Sequence, residues 1–278
     1  MYINDYEIYL TSVKNRSAKT VTEYSNDLKQ FMGYVGKEEK DITIQDGRAF
    51  MVYLDNNGIS AKSRARKVSS IRGYFKFLSQ EMGIDSNILN LEKPKVEKTL
   101  PKYLTLDECQ KLLTVSNEGE FAERDHCIIT LFLNCGLRLS ELANLKMTDI
   151  SRETLVIMGK GSKERTVYLN DSCMVSLKRY LKVRDSVSEW LFVNKSGQHL
   201  EQPGIQCMVK KNLTKIGRQD LSTHKLRHSC ATMYYEMGAD LLELKELLGH
   251  ESVATTQIYT HICDEKLKTM VANSPLSA

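Results

Sequence analysis

The sequence predicts a mainly α-helical protein built from an all-α N-terminal part and an α-rich C-terminal part with a small antiparallel β-sheet. Apolar residues recur at spacings of three and four along most of the 278 residues. Only a few short segments, between residues 154 and 193, show the composition of strands. The length also favours two domains of ordinary size over one.

The first 92 residues contain only helical patterns. The predicted helices span residues 3–13, 18–34, 45–56 and 60–82. They are followed by a charged stretch without a sustained period, which Pro94 and Pro101 interrupt. We therefore predict an N-terminal domain over 1–92, a linker over 93–103 and a second domain over 104–278.

The second domain begins at Thr105, where Thr105 and Glu108 have the spacing of a capping box. The predicted helices span residues 105–115, 121–134, 138–145, 171–185, 203–216, 222–237, 240–248 and 252–261. Residues 154–158 and 165–169 flank a glycine-containing turn and predict a β-hairpin, and residues 190–193 predict a third short strand.

Composition excludes several classes of protein. Hydrophobic residues make up 41% and charged residues 27%, which does not fit collagen-like or broadly disordered chains. No apolar run approaches 18 residues and the N-terminus carries acids, so we expect a cytoplasmic protein without a membrane anchor. The seven cysteines are odd in number and form no C-x-x-C pair, which predicts reduced, buried thiols.

Positive charge is concentrated in one predicted helix. The net charge is only +4, but residues 56–80 contain six basic residues and no acid. The basic residues that we select as DNA contacts are Lys62, Arg66, Arg72 and Lys76. The small Ser69 and Gly73 on the same helix are expected to allow close approach of a partner. An ordinary solvated charged face is the alternative for this helix.

A second cluster of polar residues lies at the start of the predicted helix 222–237. Its apolar positions face the core, while His224, Arg227 and His228 project from the other side. The i,i+4 spacing of the two histidines also matches a zinc-binding helix. We reject zinc, because Lys225 replaces the glutamate base of that motif and Arg227 would add positive charge beside the metal.

Further candidates are individually weak. They are Arg138 with Glu141 at the start of a predicted helix, Lys160 in the hairpin turn, His250 after a helix-ending glycine, and Tyr259 nine residues later. Alone, each is more simply explained as a surface or packing residue.

Together these residues resemble the tyrosine recombinases, the integrases and resolvases that break and rejoin DNA through a tyrosine. The matching segments, in order, are Gly136-Leu-Arg-Leu-Ser-Glu-Leu142, Gly159-Lys-Gly161, His224-x-Leu-Arg227, Leu248-Gly-His250 and Tyr259. The resemblance covers nearly the whole chain. It implies a core-binding domain over 1–92, a catalytic domain over 104–278, and a length similar to the Xer-type members.

The resemblance also implies roles for these residues. Tyr259 would be the nucleophile, Arg138 and Arg227 would bind the scissile phosphate, and His250 would donate a hydrogen bond to it. His224 would take the tyrosine proton and Lys160 would protonate the leaving 5′ oxygen, while Glu141 would orient Arg138. The implied link is a 3′-phosphotyrosine, formed without metal, cofactor or ATP. Lys163, His228 and His261 remain alternatives for the lysine and histidine roles.

The family relationship finally implies the partners. These are double-stranded DNA recombination sites, bound by a homo- or hetero-tetramer on two duplexes whose subunits dock through a C-terminal tail helix near 264–271, with no small-molecule substrate. The biological role is either chromosome-dimer resolution or integration or inversion of a mobile element. Two alternatives stay open at this point: a catalytically idle DNA-binding protein and a nicking-closing enzyme of the type IB topoisomerase kind.

Overall fold

The computed structural model describes residues 2–96, 102–158, 164–250, 252 and 256, and the chain divides into two compact units, Met1–Thr99 and Leu100–Ala278. Most of the described residues are helical, and their strands form one antiparallel sheet of order β1-β2-β3. The predicted fold class is thereby confirmed. None of the helices in the described part of the chain is long and apolar enough to cross a membrane.

The first unit consists of helices. They are α1 (Ile3–Ile8), which continues as a π-helical turn (Tyr9–Val13), α2 (Ala18–Val35), α3 (Ile44–Asn56) and α4 (Ala61–Met82), with 3₁₀ turns at Glu39–Asp41 and Asn87–Asn90. Ser17 and Ser60 cap α2 and α4, because each side-chain oxygen accepts the backbone N–H three residues later at 3.3 Å.

The core of the first unit is aromatic. Phe31, Phe50 and Phe75 are fully buried and come from α2, α3 and α4. Gly73 lets α4 approach Tyr6, since a Cβ at Gly73 would lie 2.6 Å from the tyrosine hydroxyl oxygen. The small size of Gly73 therefore serves packing inside the unit, which differs from its expected role in admitting a nucleic-acid backbone.

The second unit packs helices around α6, whose residues 127–133 are all buried. Its helices are α5 (Leu106–Ser116), α6 (Ala122–Cys135), α7 (Leu139–Ala143), α8 (Asp171–Val183), α9 (Gln202–Lys215), α10 (Thr223–Glu236) and α11 (Leu241–Leu248). The cysteines of these helices are buried as predicted, except Cys207, which is exposed. Cys263 and the predicted helix 252–261 lie largely or wholly outside the described residues.

The sheet of the second unit is small. It contains β1 (Ile150–Ser151), β2 (Thr154–Met158) and β3 (Glu164–Tyr168), and the register places Leu155 opposite Val167. The predicted strand 190–193 is wrong: Trp190 and Val193 form only isolated bridges, to Lys146 and His199. The third strand is instead β1, a segment of two residues that is too short to give an alternating pattern.

Candidate active site

The carboxylate of Glu141 is the centre of the candidate site. Only 3% of its side chain is exposed. Its oxygens accept hydrogen bonds from the guanidinium groups of Arg138 and Arg165, and Arg227 Nη1 lies 3.8 Å from Oε2. Burial raises the pKa of Glu141, but the hydrogen bonds from Arg165 and Arg138 outweigh this effect and hold the pKa below its ordinary value. Glu141 therefore stays ionised among three guanidinium groups.

Arg138 is placed by the turn that joins α6 to α7. Gly136 ends α6 with φ +58°, and a Cβ there would lie 2.9 Å from the Leu248 side chain. The backbone N–H of Arg138 donates to Glu141 Oε2 at 2.7 Å, and its Nη1 donates to Oε1 at 2.6 Å. Its Nη2 donates to the carbonyl oxygen of Gly249 at 2.6 Å. The side chain remains 36% exposed, so part of the guanidinium group faces solvent.

Arg227 lies on α10 and is almost completely buried, with 4% of its side chain exposed. A buried guanidinium group requires acceptors. Its Nη1 donates to the carbonyl oxygen of Gly136 at 2.7 Å, and its Nη2 donates to that of Leu248 at 2.5 Å. Arg227 therefore joins the turn after α6, to which Arg138 belongs, to the turn after α11, and Arg138 donates to the second of these turns as well.

His250 follows the end of α11, where Gly249 adopts φ +60°. Its Nδ1 lies 3.0 Å from Thr256 Oγ1, and Thr256 is fully buried. Burial and the positive charges of Arg227, Arg138 and Arg165 lower the pKa of His250 to about 4. The imidazole of His250 is therefore neutral at pH 7.

His224 and His228 lie one helical turn apart on α10. Their rings pack edge to face with centroids 4.9 Å apart, and His224 is the exposed member of the pair. Burial, followed by the charges of His224 and Lys225, lowers the pKa of His228 to about 4. Within the described residues, no group of three His, Cys, Asp or Glu side chains converges on a possible metal position.

The structure thus brings Arg138, Glu141, Arg227 and His250 together, and the charge of His224 also acts on His250. Lys160, the alternative Lys163, Tyr259 and His261, together with the tail 264–278, lie outside the described residues.

Arg165 is a residue of the site that was not predicted from the sequence. It lies on β3 directly opposite Ile157, whose side chain is buried. Opposite residues of an antiparallel pair point to the same face of the sheet, so a charged side chain at this position needs a partner in the interior. Arg165 lies two and four positions before the apolar Val167 and Leu169, which places it on the same face of the strand, and this was the available signal.

The candidate DNA contacts lie in the first unit and differ from one another. Lys62, Arg72 and Lys76 are exposed and form no ion pair with any described residue. Arg66, in contrast, donates from Nη1 to Asp27 Oδ2 at 2.5 Å. A surface groove of about 560 Å³ lies beside the exposed residues. It is lined by Arg72, Gly73, Lys76, Ser79, Gln80, Leu89 and Asn90.

Comparison with known protein families covers both units. The phage integrase family matches residues 102–266, and the family described as "Phage integrase, N-terminal SAM-like domain" matches residues 3–82. The chain belongs to the phage integrase family. The predicted resemblance to the Xer-type tyrosine recombinases is therefore confirmed, as is the prediction of an enzyme for site-specific recombination.

Individual relatives of this tyrosine recombinase match along nearly its full length. XerC of Caldanaerobacter subterraneus is 38% identical, over 99% of this chain and 87% of the relative. XerA of Pyrococcus horikoshii is 34% identical, over 99% of this chain and 93% of the relative. Among solved structures, XerH bound to palindromic difH substrate, in a post-cleavage complex, is 26% identical with a TM-score of 0.78, over 94% of this chain and 81% of that one.

Proposed function

We propose that this recombinase cleaves and rejoins the strands of double-stranded DNA at specific sites through a 3′-phosphotyrosyl link to Tyr259. The observation that carries the proposal is the convergence of Arg138 and Arg227 on the Glu141 carboxylate beside His250. Three guanidinium groups around one carboxylate leave an excess of positive charge, which suits a phosphate. The related XerH structure, solved with a DNA substrate, supports DNA as the partner.

Arg138 and Arg227 bind the non-bridging oxygens of the scissile phosphate. Each guanidinium group has five N–H donors, and the contacts with Glu141 and with backbone carbonyls leave other donors on Arg138 for a ligand. Because these contacts are in place before DNA binds, little reorganisation is needed when negative charge accumulates in the transition state. Glu141 fixes both groups.

His250 acts as a neutral hydrogen-bond donor, in agreement with its lowered pKa of about 4. A neutral imidazole carries one N–H. We assign this proton to Nε2, which directs it to the phosphate while Nδ1 accepts the hydroxyl proton of Thr256. The exposed His224 is the base that takes the phenol proton.

The chemical step is a transesterification. The Tyr259 hydroxyl oxygen forms a bond to phosphorus and loses its proton to His224, while the bond from phosphorus to the 5′ oxygen breaks. Lys160 supplies the proton that this oxygen needs to leave as a hydroxyl. The phosphotyrosine ester replaces one phosphodiester with another ester, so the reverse attack by a new 5′-hydroxyl requires no ATP.

DNA binding is shared between two domains in this proposal. The domain over 1–92 contacts the phosphate backbone through Lys62, Arg72 and Lys76, which are exposed. The segment 93–103 is the linker and 104–278 is the catalytic domain. Subunits assemble as a tetramer on two duplexes through the tail after residue 263. Chromosome-dimer resolution and mobile-element integration or inversion both fit this scheme.

The test begins in cells, where covalent protein–DNA adducts are trapped with denaturant and the attached DNA is sequenced. A duplex with the recovered sequence and a nick beside the cleavage position then traps the purified protein after one cleavage. We expect the adduct to map to Tyr259 and to the 3′ end of the cut strand. Tyr259→Phe should abolish the adduct while DNA affinity remains.

The matched control is Tyr168→Phe, because Tyr168 lies on β3 and is 81% exposed. It should form the adduct at the parental rate. An adduct that persists in Tyr259→Phe would contradict the proposal. So would relaxation of supercoiled plasmids without any strand exchange between two copies of the recovered site.

A further inference from the structure

Arg165 is a buried cation that none of the proposed steps uses. It comes one residue after the start of β3, and 16% of its side chain is exposed. Its Nε is buried without a hydrogen-bond acceptor among the described residues. A guanidinium group in such a place is costly unless its other donors are well paired.

The terminal nitrogens of Arg165 form a two-pronged contact with Glu141. Nη1 donates to Oε1 at 2.6 Å and Nη2 donates to Oε2 at 3.0 Å. Arg138 also reaches both oxygens, but only one of them through its side chain: Nη1 donates to Oε1, and the backbone N–H donates to Oε2. Arg227 Nη1 is 3.8 Å from Oε2. Two parallel hydrogen bonds fix the plane of a carboxylate, whereas one leaves it free to rotate. Among the described residues, Arg165 is therefore the side chain that holds both oxygens of Glu141 in one plane from outside the α6–α7 turn.

Arg165 also lies against the turn that leads to His250. A Cβ at Gly249 would be 2.8 Å from Arg165 Nη1, 2.9 Å from Cζ and 3.0 Å from Cδ. The carbonyl oxygen of the same glycine accepts a hydrogen bond from Arg138 Nη2. The guanidinium group of Arg165 thus fills the space between Glu141 and the turn, and it touches both supports of Arg138.

We propose that Arg165 is a positioning residue for DNA cleavage: it holds the Glu141 carboxylate and the Gly249–His250 turn in the geometry that aims Arg138, Arg227 and His250 at the phosphate. This inference rests on the proposed function. Arg165 acts through Glu141 and the turn and does not contact the DNA itself. Its charge alone is insufficient, because the fork geometry of the guanidinium group sets the carboxylate plane.

The experiment measures single-turnover cleavage of the nicked duplex by Arg165→Gln, Arg165→Lys, Glu141→Gln and the double variant Glu141→Gln/Arg165→Gln. Misplacing reacting groups by about 1 Å costs roughly 100-fold in rate, so both Arg165 variants should cleave about 100-fold more slowly with unchanged DNA affinity. The double variant should be as slow as Glu141→Gln alone, because both changes break the same contact, the one between Arg165 and Glu141. The inference would be overturned if the loss of rate in the double variant equalled the product of the two single losses. It would also be overturned if Arg165→Lys cleaved at the parental rate.

The matched control is Arg218→Lys in the same unit. Arg218 forms ion pairs with Glu108 and Asp220, at 2.5 and 3.2 Å, and 22% of its side chain is exposed. It should lower thermal stability without slowing cleavage by the folded protein. Slowing by Arg218→Lys equal to that by Arg165→Lys would mean that any lost ion pair has this effect, and the inference would fail.

The pH profile separates positioning from mere stability. Without Arg165 the pKa of Glu141 should rise, since its strongest stabilising hydrogen bonds are gone. Cleavage by Arg165→Gln should therefore decline at a higher pH than cleavage by the parent, and this shift should vanish when Glu141→Gln is added. If the cleavage rate of Arg165→Gln declined at the same acidic pH as that of the parent, this result would count against the inference.

If the parent protein forms no adduct, the proposed function fails, and the link between Arg165 and Glu141 is still decided in the DNA-free protein. A ¹³C NMR titration of the Glu141 carboxyl carbon should give a higher pKa in Arg165→Gln than in the parent or in Arg218→Lys. Equal pKa values in all three proteins would overturn the inference independently of cleavage.

Discussion

Each unit of this recombinase contains a buried carboxylate that holds basic side chains. The two carboxylates differ in how many structural elements their basic partners come from. In the first unit Asp27, with 2% of its side chain exposed, accepts hydrogen bonds from Arg66, Lys67 and Ser70. All three partners lie on one helix, α4. In the second unit the guanidinium groups around Glu141 come from the turn before α7, from β3 and from α10.

The number of elements that each carboxylate joins explains what each one does. Asp27 fastens α2 to α4 and neutralises basic residues of the predicted DNA-binding face. Glu141 collects cations from three elements, and Arg138, one of these, keeps a partly exposed guanidinium group. A buried carboxylate can therefore either remove positive charge from a surface or organise it for a ligand.

The largest expected effect follows from replacing Arg138 with alanine. Loss of one preorganised donor to a developing charge typically costs about 100- to 1,000-fold in rate. Single-turnover cleavage of the nicked duplex by Arg138→Ala should fall by that factor, with DNA affinity nearly retained. Arg66→Ala, at the other carboxylate, should leave the rate of the bound complex unchanged. Equal losses in both variants would erase the distinction between the two carboxylates.

Replacing Asp27 with asparagine should act on stability. Removing one partner of a fully buried ion pair costs about 3–5 kcal/mol, and we expect about 1–3 kcal/mol because solvent screens the 42% exposed Arg66. Urea unfolding measures this loss, while cleavage by the folded protein should persist. Asp55→Asn, which breaks the more exposed pair with Arg64, serves as the control and should change stability little.

The salt dependence of DNA binding should distinguish the basic residues of α4 that form no ion pair with a described residue from Arg66, which is paired with Asp27. Each phosphate contact that is lost lowers the slope of log affinity against log salt by about 1. Lys62→Gln and Arg72→Gln should each show this change, because both side chains are exposed without an ion pair to a described residue. Arg66→Gln should change the slope less, since Asp27 already neutralises it. Equal changes at the three positions would contradict the role given to Asp27.

The smallest expected effect concerns pH. Burial lowers the pKa values of His228 and His250 to about 4 in the folded protein, below the ordinary 6.5 of an unfolded histidine. The unfolded state therefore binds more protons between these values, and the free energy of unfolding should fall as pH falls from about 6.5 to 4. His228→Gln should flatten this decline in calorimetric scans and have no effect on the slope above pH 7.5. An unchanged decline would show that other groups cause it.

Local signals were sufficient for much of the fold and for part of the site. The capping box of Thr105 and Glu108 is present where it was predicted, and α2, α3 and α4 begin and end within one residue of their predicted limits. The basic face of α4 was predicted from its own residues. The engagement of Arg66 by Asp27 was not, because the two lie 39 positions apart on different helices.

Sequence alone determined the family of this protein, its helices and the identity of the candidate catalytic side chains, because spacing, caps and motifs are properties of neighbouring residues. Tertiary structure decided which cations share a carboxylate. Arg165 meets Glu141 from 24 positions away, and Arg138 meets the carbonyl oxygen of Gly249 from 111 positions away. Such pairings depend on how helices and strands pack around a buried charge that must be compensated. A local pattern can show that a charged residue needs a buried partner, but it does not show which distant residue that partner is.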